Sequence, residues 1–303
     1  MTTLITPDRS TMSGIITIVL TVFAMALTDA FVKYASSDMT LWQIYVCRSV
    51  LALPVLILLA RGRMLPRASG WVIVRSVMLV AMYLAIYAAI PVLDLSVIAA
   101  TLYTGPLFIV LLSAMFLKEQ IKSAHWSAAG LGFIGVLFVV QPRGADFTAL
   151  SLIPIVAAVL YASAAVLTRA KCADEPPQAL AISLNLALVV CGAIVSFALW
   201  LFPITNASSY PFLLGTWSTL DATKLGTLLI MALLIICVTL GLARAYQSPN
   251  PQVIATFDYS YLIFAVFWGY VFFAEVPDMF AITGICLIAI SGLVGLRANS
   301  SKK

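Results

Sequence analysis

The chain has 303 residues, of which 63% are hydrophobic and 10% charged, with a formal net charge of +5. Soluble domains are about a quarter charged and about half apolar. The composition therefore argues against a water-solvated core, and the small positive excess makes no case for nucleic acid. It fits a lipid bilayer, whose hydrocarbon takes about 20 apolar residues per helix.

Ten apolar spans are predicted in chain order. They run Gly14–Lys33, Thr40–Ala60, Trp71–Ile90, Ser96–Leu117, Ala124–Val140, Leu150–Ala170, Gln178–Leu201, Lys224–Tyr246, Gln252–Phe273 and Met279–Leu296. The first carries Asp29 and Lys33 at its end and no small-residue cleavage pattern, so it reads as a retained helix. Asp29 and Lys33 are four apart and share a helix face. They suit a structural pair, or Asp29 is an intramembrane acid with a function. Arg48 stands inside the second span, with Tyr45 one turn away. A guanidinium stays protonated and needs a carboxylate, carbonyls or an anionic ligand. Its reading is a clamp between helices or an anion contact. Arg75 opens the third span, where a long side chain snorkels to water. Tyr83 and Tyr87 share a face of that span.

In the fourth span Tyr103 precedes Gly105 and Pro106. Proline cannot donate to the Leu102 carbonyl, so the helix either kinks or breaks, and a break would bare backbone at membrane depth. "GLGFIG" at Gly130–Gly135 satisfies G-x-G-x-x-G but lies within an apolar span, not between strand and helix. It reads as close helix packing by small residues. In the ninth span Phe257, Tyr261, Phe264 and Trp268 form one stripe, and Asp258 borders it with no basic residue within a turn. With Tyr83, Tyr87 and Tyr103 these residues suit a polar, aromatic cavity. No P-loop, nucleophile elbow or H-E-x-x-H motif occurs, and the one histidine is His125 in a turn, so the expectation is no enzyme, no metal and no cofactor. Cys47, Cys172, Cys191, Cys237 and Cys286 show no metal-ligand spacing and read as small packing residues.

Lys and Arg set the orientation. With the N-terminus in the cytoplasm, twelve fall inside and only three (Lys33, Arg143, Lys224) outside, which predicts that both termini are cytoplasmic. Sliding the chain by 156 positions superposes eleven identical residues between Val97 and Gln141, among them Glu119 on Glu275 and Tyr103 on Tyr259. Five spans is an odd number, so two such halves face opposite ways, as in many secondary transporters.

The stretch "LDLSVIAATLYTGPLFIVLLSAMFLKEQIKSAHWSAAGLGFIGVLFVVQP", Leu93 to Pro142, resembles the EamA-type half of the drug/metabolite transporter superfamily. "DAFVKY", "LWQIYVCRS" and "RSVMLVAMYLAIYAAIPVLDLSVIAA" are similar to its bacterial branch of S-adenosylmethionine and riboflavin importers. The resemblance implies an all-α membrane protein of ten transmembrane helices in two inverted five-helix repeats, 14–142 and 150–297, with tails 1–13 and 298–303 in the cytoplasm. It also implies a central cavity lined by the first, third and fourth helices of each half. In the second half Leu184 stands where a partner for Arg48 would fall.

Residues and resemblance together predict a multi-pass secondary transporter of a bacterial inner membrane. It moves a small organic metabolite by alternating access, with protons or a counter-substrate as coupling partner and a homodimer left open. Asp29, Tyr83, Tyr87, Tyr103, Asp258, Tyr261 and Trp268 are the candidate substrate residues. Arg48 and Arg75 are the clamp or anion contact, and Gly105 and Pro106 the helix break. The expected substrate is cationic or zwitterionic with an apolar or aromatic body, S-adenosylmethionine- or amino-acid-like. A neutral riboflavin-like ring and a drug or metabolite exporter are the alternatives, and a non-transporting membrane subunit is the competing class.

Overall fold

The computed structural model describes residues 9–62, 66–102, 104–117, 123–140, 152–202, 204, 209–247 and 257–300. Among these residues the regular structure is helical and no strand occurs. The helices are α1 (Arg9–Ala35), α2 (Leu41–Ala60), α3 (Ser69–Ala89), α4 (Leu95–Leu102), α5 (Gly105–Leu117) and α6 (Ser123–Val140), then α7 (Ile153–Lys171), α8 (Pro177–Leu201), α9 (Pro211–Leu214), α10 (Ala222–Tyr246), α11 (Ser260–Phe273) and α12 (Met279–Ser300). Six are long and apolar enough to cross a membrane, and shorter apolar helices accompany them. Apolar side chains such as Ile194, Phe197 and Trp200 on α8 are exposed, as lipid-facing residues must be.

Local sequence sets the helix ends. Thr40 caps α2 by accepting from the Gln43 N–H at 3.3 Å, and Asp221 caps α10 by accepting from Lys224 N–H at 2.8 Å. Pro177 stands in the first turn of α8, where its missing N–H costs nothing. The second helix ends where Arg61 (φ 44) and Gly62 (φ 87) take the left-handed conformation. Ala274 (φ 53) does the same after α11, which turns Glu275 back so that its N–H bonds the Gly269 carbonyl at 3.2 Å.

The predicted fourth span is two helices. The chain breaks between Leu102 and Gly105, one residue before Pro106. Threonines cover the interruption: Thr101 Oγ1 bonds the Val97 carbonyl, Thr104 Oγ1 the Thr101 carbonyl, and the Thr104 carbonyl receives Leu107 and Phe108 N–H. Polar groups freed in lipid are satisfied in this way by nearby hydroxyls. The stretch predicted as one long loop after α8 contains the single-turn helix α9. Tyr103, Glu119, the start of the predicted ninth span and parts of the Pro203–Asp221 loop lie outside the described residues.

Packing joins helices from the two ends of the sequence. α1 lies against α10 and α11, α2 against α8, α3 and α4 against α7, and α6 against α12. The last glycine of "GLGFIG" serves the last pair: a Cβ on Gly135 would stand 2.8 Å from the Gly284 carbonyl oxygen, and one on Gly284 2.5 Å from that of Gly135. Two backbones this close tolerate no side chain between them, which is how small residues hold membrane helices together.

Candidate functional site

A cavity lies where α1, α3, α4, α7, α8 and α10 meet. Most of its wall is aliphatic, and Asp29, Arg75, Tyr83, Tyr161 and Thr239 are its polar members. Only about 30 Å³ is open to the centres of water molecules, room for roughly two or three waters. The open space of the site is thus small.

Asp29 is buried, and the Tyr261 hydroxyl donates to its Oδ2 at 2.5 Å. The bond ties α1 to α11 through two residues 232 positions apart. Lys33 does not pair with Asp29. It turns to Glu275, with Nζ 2.5 Å from Oε1, and also donates to the Leu93 carbonyl at 2.8 Å. The physical reason is position: Lys33 lies a turn nearer the helix end, where Ala274 has folded Glu275 inward. The other Glu275 oxygen accepts from Leu95 N–H at 2.9 Å, so this one carboxylate joins the ends of α1 and α11 to the start of α4.

Arg48 has no exposed surface. Its guanidinium carbon lies 5.6, 5.9 and 5.5 Å from the ring centroids of Tyr45, Tyr83 and Tyr87, inside cation–π range of all three. Nη1 is 3.4 Å from the Tyr87 hydroxyl, and Nε and Nη2 have no hydrogen-bond partner among the described residues. Arg75 does not snorkel. It turns inward, 6% exposed, because Thr168 on α7 accepts from its Nε at 2.7 Å, while Nη1 is left without a partner. A buried donor without an acceptor costs about 1–3 kcal/mol, more when charged. Two such arginines beside one cavity are therefore unlike ordinary core residues.

Asp258 is fully buried, and the Tyr161 hydroxyl donates to its Oδ2 at 3.2 Å. Tyr161 itself lines the cavity, so Asp258 stands behind the wall and touches it through that phenol. Gly105 permits this: a Cβ there would stand 3.2 Å from Tyr161 Cδ1, so the helix break and the tyrosine fit together. Tyr83 and Tyr87 pack with centroids 5.5 Å apart, Tyr83 on the cavity and Tyr87 toward Arg48. Trp268 joins Phe23, Phe267 and Phe272 in a ring cluster between α1 and α11, away from the cavity wall. Tyr103 falls outside the described residues.

Sequence reasoning missed Tyr161, the Glu275 junction and Gln43. Gln43, fully buried, donates to the Ser218 carbonyl at 2.8 Å and accepts from Ser218 N–H at 3.0 Å. With the Trp42 indole on the Leu213 carbonyl at 2.7 Å, it straps the α9 loop across the start of α2. A lone glutamine at the head of an apolar span was the available signal.

Residues 12–141 match the EamA-like transporter family. The first half of the chain is an EamA domain. The whole chain is similar to the pseudopaline exporter CntI of Pseudomonas aeruginosa, 28% identical over 287 residues that cover 92% of this chain and 94% of the relative. It is also similar to a riboflavin transporter of Brucella anthropi, 27% identical over 86% of this chain and 87% of the relative. One crystal structure of a protein superposes on it with a TM-score of 0.67 at 16% identity, covering 98% of this chain and 100% of the other. That likeness speaks for the fold alone. The long apolar helices are those of a multi-pass membrane protein, and the proteins the chain is similar to are named as transporters and not as enzymes. The EamA domain supplies Asp29, Arg48, Arg75, Tyr83 and Tyr87, and residues beyond it supply Tyr161, Asp258 and Tyr261.

Proposed function

We propose that the protein is a secondary transporter that carries a small organic metabolite across a bacterial inner membrane by alternating access. The observation that carries this reading is a small cavity among the helices whose polar residues are held across the two ends of the sequence, above all Asp29 by Tyr261. Six long apolar helices and four shorter apolar ones make ten spans. Their packing is reciprocal: first with third and third with first, second with second, fifth with fifth. This reciprocity supports a reading as two inverted five-helix halves, 14–142 and 150–297, related by an axis in the membrane plane. The charge asymmetry supports a cytoplasmic position for both termini.

The candidate substrate is cationic or zwitterionic with an apolar or aromatic body. Asp29 is the charged acceptor on the wall, Tyr83 and Tyr161 are its aromatic neighbours, and Asp258 acts through Tyr161. Tyr87, Tyr261 and Trp268 support the cavity from behind, and Tyr103 belongs to the same proposed set by its place before the helix break. A neutral aromatic cargo like riboflavin is the second reading, favoured by the similarity to a riboflavin transporter. Transport is coupled to protons or to a counter-substrate. The test is uptake by purified protein in liposomes. A metabolite gradient or a proton gradient should drive accumulation without ATP. If no compound of either class crosses faster than in empty liposomes, the protein is a non-transporting membrane subunit.

A further inference from the structure

We infer that Glu175 latches the end of the cavity opposite the Lys33–Glu275 junction, and that the cavity opens there when α3 parts from α7, α8 and α10. The inference rests on the transporter reading and adds to it the second of the two gates that alternating access requires.

The cavity wall runs along α3 from Arg75 to Ile86. Val72 stands one turn before Arg75, toward the start of that helix. It packs with Cys172 at the end of α7, Leu180 on α8 and Ala243 on α10 in a small apolar cluster of its own, and all four are buried. Leu180 also lines the cavity, and Ala243 follows the lining residue Leu242, so the cluster adjoins the cavity at this end. A polar layer lies beyond it. Glu175, in the turn between α7 and α8, is only 6% exposed. Its Oε2 accepts from Arg67 N–H at 3.0 Å and its Oε1 from Ala68 N–H at 2.6 Å, both at the entry to α3. Gln247, after α10, donates to the Glu175 carbonyl at 2.6 Å and braces the turn.

Both layers join α3 to helices from the later half of the chain. The start of α3 has no side-chain cap of its own, and one carboxylate of the later half takes the two amides before it. Such bonds hold a fixed geometry and are lost on a small separation. Once parted, the carboxylate and the amides meet water, because they lie at the end of the bundle and not at membrane depth, so parting them costs far less than baring a buried charge. The opposite end is built alike. Lys33 lies one turn beyond the lining residue Asp29, and Glu275 takes both Lys33 and the Leu95 N–H at the start of α4. In each case a carboxylate of the later half holds the start of a helix of the first half. Rocking one half against the other about a fixed site breaks one of these junctions and keeps the other.

The experiment labels a cavity cysteine from each face of the membrane. Met82→Cys, on the cavity wall, is placed in a full-length chain whose five native cysteines are replaced. The protein is oriented in liposomes, and a membrane-impermeant maleimide is added from the Glu175 face or from the Lys33 face. Glu175→Gln keeps the size and one acceptor oxygen but turns an NH2 group toward an amide N–H. It should raise labelling from the Glu175 face about ten-fold or more, and leave or lower labelling from the Lys33 face. Glu275→Gln should do the reverse. Gln247→Leu, which removes only the brace, should give a smaller rise at the Glu175 face, and it carries the comparison if Glu175→Gln does not fold. Labelling that rises equally from both faces would report a loosened bundle and overturn the inference, as would unchanged labelling in folded Glu175→Gln protein. Either result in a protein that still carries cargo would sink the latch and leave the transporter reading standing. A rise at one face alone, in a protein that carries no compound in liposomes, would sink the transporter reading and leave Glu175 as the latch of a binding cavity.

Discussion

Glu275→Gln tests whether the junction at the Lys33 end holds the cavity shut. The carboxylate takes Lys33 at 2.5 Å and Leu95 N–H at 2.9 Å, and the two side chains are only 15% and 10% exposed, so solvent screening is weak. A glutamine keeps the size and one acceptor for Leu95. It loses the charged bond to Lys33, and hydrogen bonds to charged groups contribute about 1.5–3 kcal/mol. Taking about 2 kcal/mol for the loss, and about 1.4 kcal/mol per tenfold, the ratio of closed to open protein falls about thirty-fold. The assay starts from a chain with its five cysteines replaced and Met82→Cys placed on the cavity wall. A membrane-impermeant maleimide is added from the Lys33 side. While the open state stays rare, the labelling rate follows its population, so Glu275→Gln should label about thirty times faster. Lys33→Gln should give a similar rise, and the double variant far less than the product of the two, because the residues form one unit. Unchanged labelling in a folded Glu275→Gln protein would refute the reasoning and reduce the junction to an ornament of the bundle's end.

Asp258→Asn retains an acceptor for Tyr161, so the protein should fold in detergent, yet uptake in liposomes should fall by at least about ten-fold, roughly 1.4 kcal/mol in transition-state terms; normal uptake would remove Asp258 from the site. Tyr261→Phe leaves the buried Asp29 short of its donor, which costs about 1–3 kcal/mol, and should lower both the melting temperature and uptake. Gly135→Val should lower the melting temperature sharply, since its side chain meets the Gly284 backbone, whereas Gly130→Ala, with open space around it, should be neutral; equal effects would show that α6 and α12 do not depend on that approach. A cysteine at Ser208 should react with impermeant reagent from outside the cell and one at Ser69 should not, and the reverse result would invert the topology.

The apolar helices and the membrane were legible in the sequence because a bilayer imposes length and polarity residue by residue. That demand leaves a signal in every window, and the family resemblance of the first half could be read off contiguous residues in the same way. The break at Gly105–Pro106 was also local, since proline removes a donor wherever it stands. Partner choice was not legible. Asp29 and Lys33, neighbours on one face, suggested a pair, but Lys33 reached Glu275, 242 positions away, and Asp29 received Tyr261 from 232 positions away. Arg75 had the sequence position of a snorkelling side chain, and only the approach of Thr168 on α7 turned it into the cavity. Tyr161 gave no sign of importance until Gly105 let it close on the helix break in front of Asp258. A charge inside an apolar span announces that it needs a partner, because hydrocarbon offers none. Which partner it takes depends on how helices distant in the chain pack together, and the tertiary structure alone decided that.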